Sequence, residues 1–185
     1  MRITLMRHGR PAVQTGERLS PRGFAQWVEQ YDEAGVVRNE EPPAEAIKAA
    51  HFARFVVCSD LQRSVSSAKL LGCSVNVADP LFREAEMPVL DGSFPRLSPR
   101  LWSVIFRLAW VCGFKSGVEA LSDARKRADR CAQQLCELAG THEDVLLVGH
   151  GTFLWLIARR LSRLGWNGPT NTPRHHWSFG TWESA

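Results

Sequence analysis

Arg7-His8-Gly9 follows a short apolar run, Ile3-Thr4-Leu5-Met6, near the start of the sequence. A strand ending on this tripeptide puts an imidazole, a fixed cation and a residue without a side chain at one edge of a sheet. Those are the parts needed to bind and attack a phosphoryl group. Arg63, Glu84 and His150 extend the set, the last within Gly149-His150-Gly151. Guanidinium groups grip charged phosphoryl oxygens in pairs, and transfer of the group depends mainly on positioning and charge stabilisation. Histidine, with an ordinary pKa of about 6.5, can be neutral and nucleophilic at physiological pH. A carboxylic acid gives its proton to the leaving oxygen, and its carboxylate then takes one from water. Gly151, opening a helix, would aim backbone N–H groups and a positive dipole end at the same anion.

These residues act together only if the fold gathers them, and strands alternate with helices along the chain. After the first strand a polar loop leads to Ser20-Pro21, an N-cap followed by proline, which opens a helix to about Ala34. Residues 54–58 read as a buried strand. Ser59-Asp60 then caps a helix to about Leu71, with Gly72 as its stop. A short extended piece at 74–77 precedes the turn residues Asp79-Pro80, and 81–83 is a further extended stretch leading to Glu84. Ser98-Pro99 opens a helix rich in Trp and Phe through about Cys112. The clearest helix is 118–139, where Val118, Leu121, Ala124, Ala128, Cys131, Leu135 and Leu138 recur at helical spacing. An apolar strand at 144–148 and a helix from about Thr152 to Leu164 follow. Residues 166–173 are turn-like, and 176–182 form a candidate edge strand.

The alternation predicts an α/β fold, a three-layer sandwich with a mostly parallel central sheet and helices on both faces. Ligands of such sheets sit beyond the carboxyl ends of the strands. Arg7, His8, Arg63 and His150 all fall just after strands, and Glu84 follows the shorter extended stretch.

Composition bounds the remaining possibilities. With 185 residues, 44% of them hydrophobic, the chain can bury a real core and reads as a single domain, 1–185. Its longest apolar candidate, 101–114, is broken by Arg107 and falls short of the roughly 18 residues of a membrane span. The start of the chain lacks a signal pattern, so a cytoplasmic protein is expected. Five cysteines, Cys58, Cys73, Cys112, Cys131 and Cys136, are odd in number and form no C-x-x-C pair, which argues against a disulfide framework and a zinc site. The net charge is +4, yet the arginines do not cluster between groove-reading elements as nucleic-acid binding requires. The expected partner is therefore a small phosphorylated substrate or inorganic phosphate, with no nucleic acid and no membrane, and the oligomeric state is open. His51, His142, His175 and His176 lack a matched partner or metal spacing and read as surface or satisfied polar residues. The tryptophans read as core, with Trp102 and Trp110 as possible pocket walls.

Three segments together resemble the histidine phosphatase superfamily, the fold of phosphoglycerate mutases and many small phosphatases. Leu5-Met6-Arg7-His8-Gly9 matches the family's opening R-H-G. Cys58-Ser59-Asp60-Leu61-Gln62-Arg63-Ser64 with Ala68 resembles its S-x-L-x-R-A-x-x-T-A helix, and Val148-Gly149-His150-Gly151 its later x-x-H-G. Leu19-Ser20-Pro21-Arg22-Gly23 with Gln26, and Leu81-Phe82-Arg83-Glu84, are weaker matches in the same order. The resemblance implies a phosphoglycerate mutase-like fold and His8 as a nucleophile that becomes phosphohistidine. Arg7, Arg63 and His150 would hold the phosphoryl oxygens, and Glu84 would be the proton donor. Where the family often continues E-T-x-x-N, this chain has Arg10-Pro11-Ala12-Val13-Gln14, so Gln14 stands where the family has a phosphate contact. Glu86 lies two residues beyond Glu84 and, on an extended stretch, faces the same side. It is the alternative acid.

Within the family a phosphatase is expected over a mutase, because the chain is compact. The stretch 87–117 is the expected lid that selects the substrate, and no metal or cofactor is required. Two rival readings have a specific basis. Cys58 precedes Arg63 as a thiolate nucleophile precedes its phosphate arginine, although the C-x4-R spacing is one residue short and lacks glycine. The same fold could also serve as a catalytically silent module that binds a phosphorylated ligand.

Overall fold

The apolar run Val145-Leu146-Leu147-Val148 does not alternate with polar residues, and such a strand is stable only with cover on both faces. In the computed structural model, which describes residues 1–114 and 116–184, this run forms β4 (Asp144–Gly149) and lies inside the sheet. Lys115, within the expected lid, and Ala185 lie outside the described residues.

The other strands are β1 (Arg2–Arg7), β2 (Phe55–Cys58), β3 (Val77–Ala78), β5 (Trp166–Asn167) and β6 (Phe179–Ser184). The helices are α1 (Pro21–Glu33), α2 (Ala44–His51), α3 (Gln62–Leu70), α4 (Pro99–Val111), α5 (Leu121–His142) and α6 (Gly151–Arg163). The strands form one six-stranded sheet in the order β3-β2-β4-β1-β6-β5. The first four are mutually parallel, β6 is antiparallel to β1, and β5 is antiparallel to β6. This is the three-layer, mostly parallel α/β architecture that the alternation of elements predicts.

Successive residues of the central strands feed opposite layers. Ile3, Leu5, Val145 and Leu147 pack against α5 and α6, whereas Met6, Leu146 and Val148 pack against α2 and α3. The face of α5 on the sheet is mostly small: Ala124, Ala128, Cys131, Ala132 and Ala139 are all buried, which lets the helix approach closely. A third cluster joins Phe24 of α1 to Trp102 and Phe106 of α4. Trp102 and Trp110 are core residues, their indole N–H groups donating to the carbonyls of Leu19 and Glu119 at 2.7 Å each. Among the described residues no helix is long and apolar enough to cross a membrane.

Several local expectations need correction. Helix α2 has no counterpart in the sequence reading; it is 8 residues long and begins after Pro43 without a side-chain cap. Helix α3 begins at Gln62 with Leu61 before it, because Ser59 and Asp60 are used elsewhere. Asp60 pairs with Arg83 at 2.6 Å, and Ser59 turns to His150. The clear helical pattern starts at Leu121 rather than 118 and runs on to His142. Residues 80–82 form a 3-10 turn, capped by Asp79, in place of the expected extended stretch. Strand β6 is not at the edge, since β5, from the segment read as turn-like, pairs outside it.

Leu147, fully buried at the centre of β4, tests the packing. Leu147→Ala should cost about 2–5 kcal/mol in urea unfolding. A cost well under 1 kcal/mol would contradict the burial described for β4.

Candidate active site

The sheet order itself brings two histidines together. Strands β1 and β4 are parallel neighbours with Arg7 opposite Gly149, and the next residue's N–H, that of His8, donates to the Gly149 carbonyl at 3.0 Å. His8 and His150 therefore leave the sheet side by side, with ring centroids 5.0 Å apart.

Each imidazole has a tautomer fixed by its partners. His8 Nδ1 lies 2.7 Å from the Gly9 carbonyl, which can only accept, so Nδ1 carries the hydrogen and the lone pair is on Nε2. His150 Nδ1 accepts from Arg63 Nε–H at 3.3 Å, so its hydrogen is on Nε2, which donates to Ser59 Oγ at 2.7 Å. The Ser59 hydroxyl passes the chain on to Ser64 Oγ at 2.9 Å. Burial, with the Arg63 and Arg7 guanidiniums, holds the pKa of His8 well below its ordinary value despite the opposing pull of the Gly9 carbonyl. Burial lowers His150 in the same direction, assisted by His8 and the same arginines. Both rings are neutral in the fold.

Arg63 comes from the first turn of α3 and is 1% exposed. Its Nη1 donates to the Tyr31 carbonyl at 2.8 Å, and Nη2 pairs with Asp32 at 3.0 Å. The guanidinium also lies over the Tyr31 ring, 4.7 Å from its centroid. A buried cation needs such partners, and the last turn of α1, with its free carbonyls and negative dipole end, supplies two of them. Arg7 lies against Gly151: a Cβ there would stand 3.4 Å from the guanidinium carbon, in ordinary contact with it. Arg7 Nη1 donates to the Arg174 carbonyl, and Arg7 Nε–H is buried without a partner among the described residues.

Glu84 reaches the start of α6. Its carboxylate accepts from Phe153 N–H at 2.8 Å and Thr152 N–H at 3.1 Å. The Glu84 backbone is held in turn by Arg127, whose guanidinium donates to the carbonyls of Leu81 and Arg83 at 2.8 Å each. Glu86 is directed elsewhere and accepts from Glu119 N–H at 2.9 Å. Gln14 is exposed, and its carbonyl accepts from Trp27 Nε1 at 2.7 Å; no described contact joins its side chain to the histidine pair. The Cys58 thiol is fully buried and pushed up to about 11 by that burial, which removes the basis for a thiolate nucleophile.

Four contributors escape the sequence reading. Tyr31 and Asp32 sit at the end of an amphipathic helix and carry no motif. Ser67 accepts from the Gly9 N–H at 2.8 Å. His176, expected to be a surface or satisfied polar residue, donates from Nδ1 to the His8 carbonyl at 3.2 Å, with its ring centroid 5.3 Å from that of His8. Burial and Arg7 push its pKa down to about 4. The segment carrying it arches over the end of β1, where Trp177, at φ 64°, donates its N–H to the Arg7 carbonyl at 3.1 Å. The Trp177 ring occupies the space where a Cβ on Gly9 would stand, so only glycine fits there.

His8, Ser59, Arg63, Ser64, Ser67 and His150 are the buried polar or charged side chains among the described residues, and all six belong to this cluster. A cavity of about 390 Å³ at the other end of the sheet, lined in part by Arg2, Lys48, Phe52 and Phe179, contains none of them. The arrangement pairs an unprotonated imidazole nitrogen with fixed cations and a carboxylate, which suits transfer of an anionic group.

Comparison with known proteins gives the family and the fold. The sequence profile of the histidine phosphatase superfamily (branch 1) matches residues 3–183. The fold resembles the solved structure of the open reading frame Rv3214 from Mycobacterium tuberculosis, at 22% identity and TM-score 0.63, over 97% of this chain and 89% of that one. It also resembles the mycobacterial glucosyl-3-phosphoglycerate phosphatase Rv2419c, at 19% identity and TM-score 0.58, over 97% and 88% of the two chains. TTHB049 from Thermus thermophilus is similar over 98% of this chain and 92% of that one, at 20% identity and TM-score 0.58. Among curated proteins, human Proline-rich transmembrane protein 4 is 39% identical over 88 residues, which cover 42% of this chain and 10% of that protein.

The buried imidazoles tie stability to pH. Below about pH 6.5 the unfolded chain binds protons that folded His8, His150 and His176 refuse, so stability rises with pH across this window. It is fully present above about pH 7 and is lost as pH falls. Urea unfolding at pH 5.5 should give a stability below that at pH 7.5, by up to about 1.4 kcal/mol for each of the three rings. Equal stability at the two pH values would mean that the rings accept protons in the fold.

Proposed function

Because the chain belongs to the histidine phosphatase superfamily (branch 1), we propose that it hydrolyses a small phosphomonoester through a covalent phosphohistidine on His8. The observation that carries this reading is the state of His8: neutral, with its Nδ1–H held by the Gly9 carbonyl and its Nε2 lone pair unused. The family contains phosphatases and mutases. The likeness to a glucosyl-3-phosphoglycerate phosphatase and the short segment 87–117, proposed as the lid over a single domain, favour hydrolysis.

In the proposed reaction, His8 Nε2 attacks phosphorus and forms a P–N bond as the P–O bond to the leaving group breaks. Glu84, as a carboxylic acid, gives its proton to the departing oxygen. Water then attacks the phosphohistidine and loses a proton to the Glu84 carboxylate, and the P–N electron pair returns to Nε2, releasing inorganic phosphate. Arg7 and Arg63 neutralise the charge on the transferring oxygens, Arg7 with a buried Nε–H to offer. His150 joins them as a neutral donor whose Nε2–H exchanges Ser59 for a phosphoryl oxygen. Gly151 lies against the Arg7 guanidinium, and the amide of Gln14, exposed on the loop after β1, is proposed as a further phosphate contact. Glu84 is preferred to Glu86 because its backbone N–H partners begin two residues after His150. The unpaired thiols suit a reducing compartment, so the proposed location is the cytoplasm.

Turnover of a panel of phosphorylated metabolites, with and without chelator, tests the reading. His8→Ala should abolish hydrolysis, whereas Cys58→Ser should leave it nearly intact. Arg63→Ala should lower kcat by about 10²–10³ if the guanidinium acts on developing charge. Glu84→Gln should lower it far more than Glu86→Gln. Full activity in the His8 variant, or strict dependence on a metal, would overturn the mechanism.

A further inference from the structure

Helix α4 is apolar on both sides. Trp102, Phe106 and Trp110 face inward and are buried, yet Leu101, Val104, Ile105, Leu108 and Val111 stand exposed, Leu108 by 61%. Of the thirteen exposed large hydrophobic residues among those described, eight lie between Leu90 and Phe114. Scattered single apolar residues on a surface are ordinary, but a continuous stripe of this kind marks an interaction surface.

The spacing within the stripe says what shape fits it. Leu101, Val104, Leu108 and Val111 follow steps of three, four and three, which is the seam along which one helix packs against another. Burying the seam would bury no charge. Arg107 is the one charged residue on α4 after Arg100, and its guanidinium is turned back to the Ala85 carbonyl at 3.1 Å and over Trp110. The charges at the ends of the helix are self-complementary in one orientation only. Arg100, exposed at the N-terminal end, would meet the negative carbonyl end of an antiparallel copy, whereas parallel copies would bring Arg100 against Arg100. The five residues of the outer face expose on the order of 400 Å² between them, about half of the ~800 Å² per partner of a standard interface.

We propose that the outer face of α4 pairs with the same face of a second copy of this chain, the two helices running antiparallel about a two-fold axis. An isologous contact of this kind closes on itself and leaves no apolar stripe to propagate. Arg107 also donates to the Glu86 carbonyl at 3.3 Å, so the pair would brace the segment next to Glu84.

Sedimentation velocity of the full chain at tens of micromolar, in salt, should give a dimer of twice 20.7 kDa. Leu108→Asp should be monomeric, and so should the milder pair Val104→Ser with Leu108→Ser, each with an unchanged far-UV circular dichroism spectrum. In an antiparallel pair the two Cys112 residues lie at opposite ends of the seam, so copper-phenanthroline should not join wild-type copies through Cys112. A wild-type monomer, a dimer that survives Leu108→Asp, or a Cys112-dependent cross-link would each overturn the proposal. A monomer that floats with phosphatidylglycerol vesicles and loses that binding in Leu108→Asp would overturn it in favour of a lipid surface.

Discussion

The parallel pairing of β1 with β4 is the constraint on which the site depends. Residues 8 and 150 are far apart in the chain, and each directly follows the last residue of its strand. Placed side by side with Arg7 opposite Gly149, the two strands deliver both imidazoles to one point and leave the His8 N–H bonded to Gly149. A register slip of one residue would turn Ile3 and Leu5 away from the α5–α6 core, so hydrophobic packing enforces the alignment that the chemistry requires.

Burial then decides the state of each group. Two imidazoles and a guanidinium share a volume almost closed to water, and three adjacent cations there would be prohibitively costly. The fold meets this by keeping both histidines neutral and giving Arg63 the carboxylate of Asp32 and a carbonyl from the end of α1. Neutral His8 is therefore a consequence of where the strands end. The arch at 174–178 adds to the same effect, because Trp177 packs against Gly9 and His176 covers the His8 backbone.

How much was legible in the sequence follows from how local each signal is. Strands β1 and β4 and helices α5 and α6 announce themselves by uninterrupted apolar character or sustained periodicity, and the motif residues follow from those strand ends. Helix α2 is short, lacks a side-chain cap and draws its stability from Ala46 and Ala50 against the sheet, so little of it is written locally. The start of α3 is misread because Ser59 and Asp60 are good cap residues whose side chains are taken by His150 and Arg83. His176 and Asp32 are invisible for a related reason. Each reaches the site through contacts between elements far apart in sequence, and neither sits in a pattern that would single it out.

The use of α6 bears on how the proposed reaction divides its labour. A helix start after a strand is a ready anion site, and the glycine of Gly149-His150-Gly151 invites phosphate to be placed there. Instead the N–H groups of Thr152 and Phe153 hold the Glu84 carboxylate, and Gly151 lies against Arg7. With the helix end engaged in orienting the acid, the charge of a transferring phosphoryl group falls to the guanidiniums. Arg63 is locked by Tyr31, Asp32 and His150, while Arg7 keeps a buried N–H free, so the two arginines are unequal partners. One is a fixed wall of the site, and the other has a donor in reserve for the anion that His8 attacks in the proposed reaction.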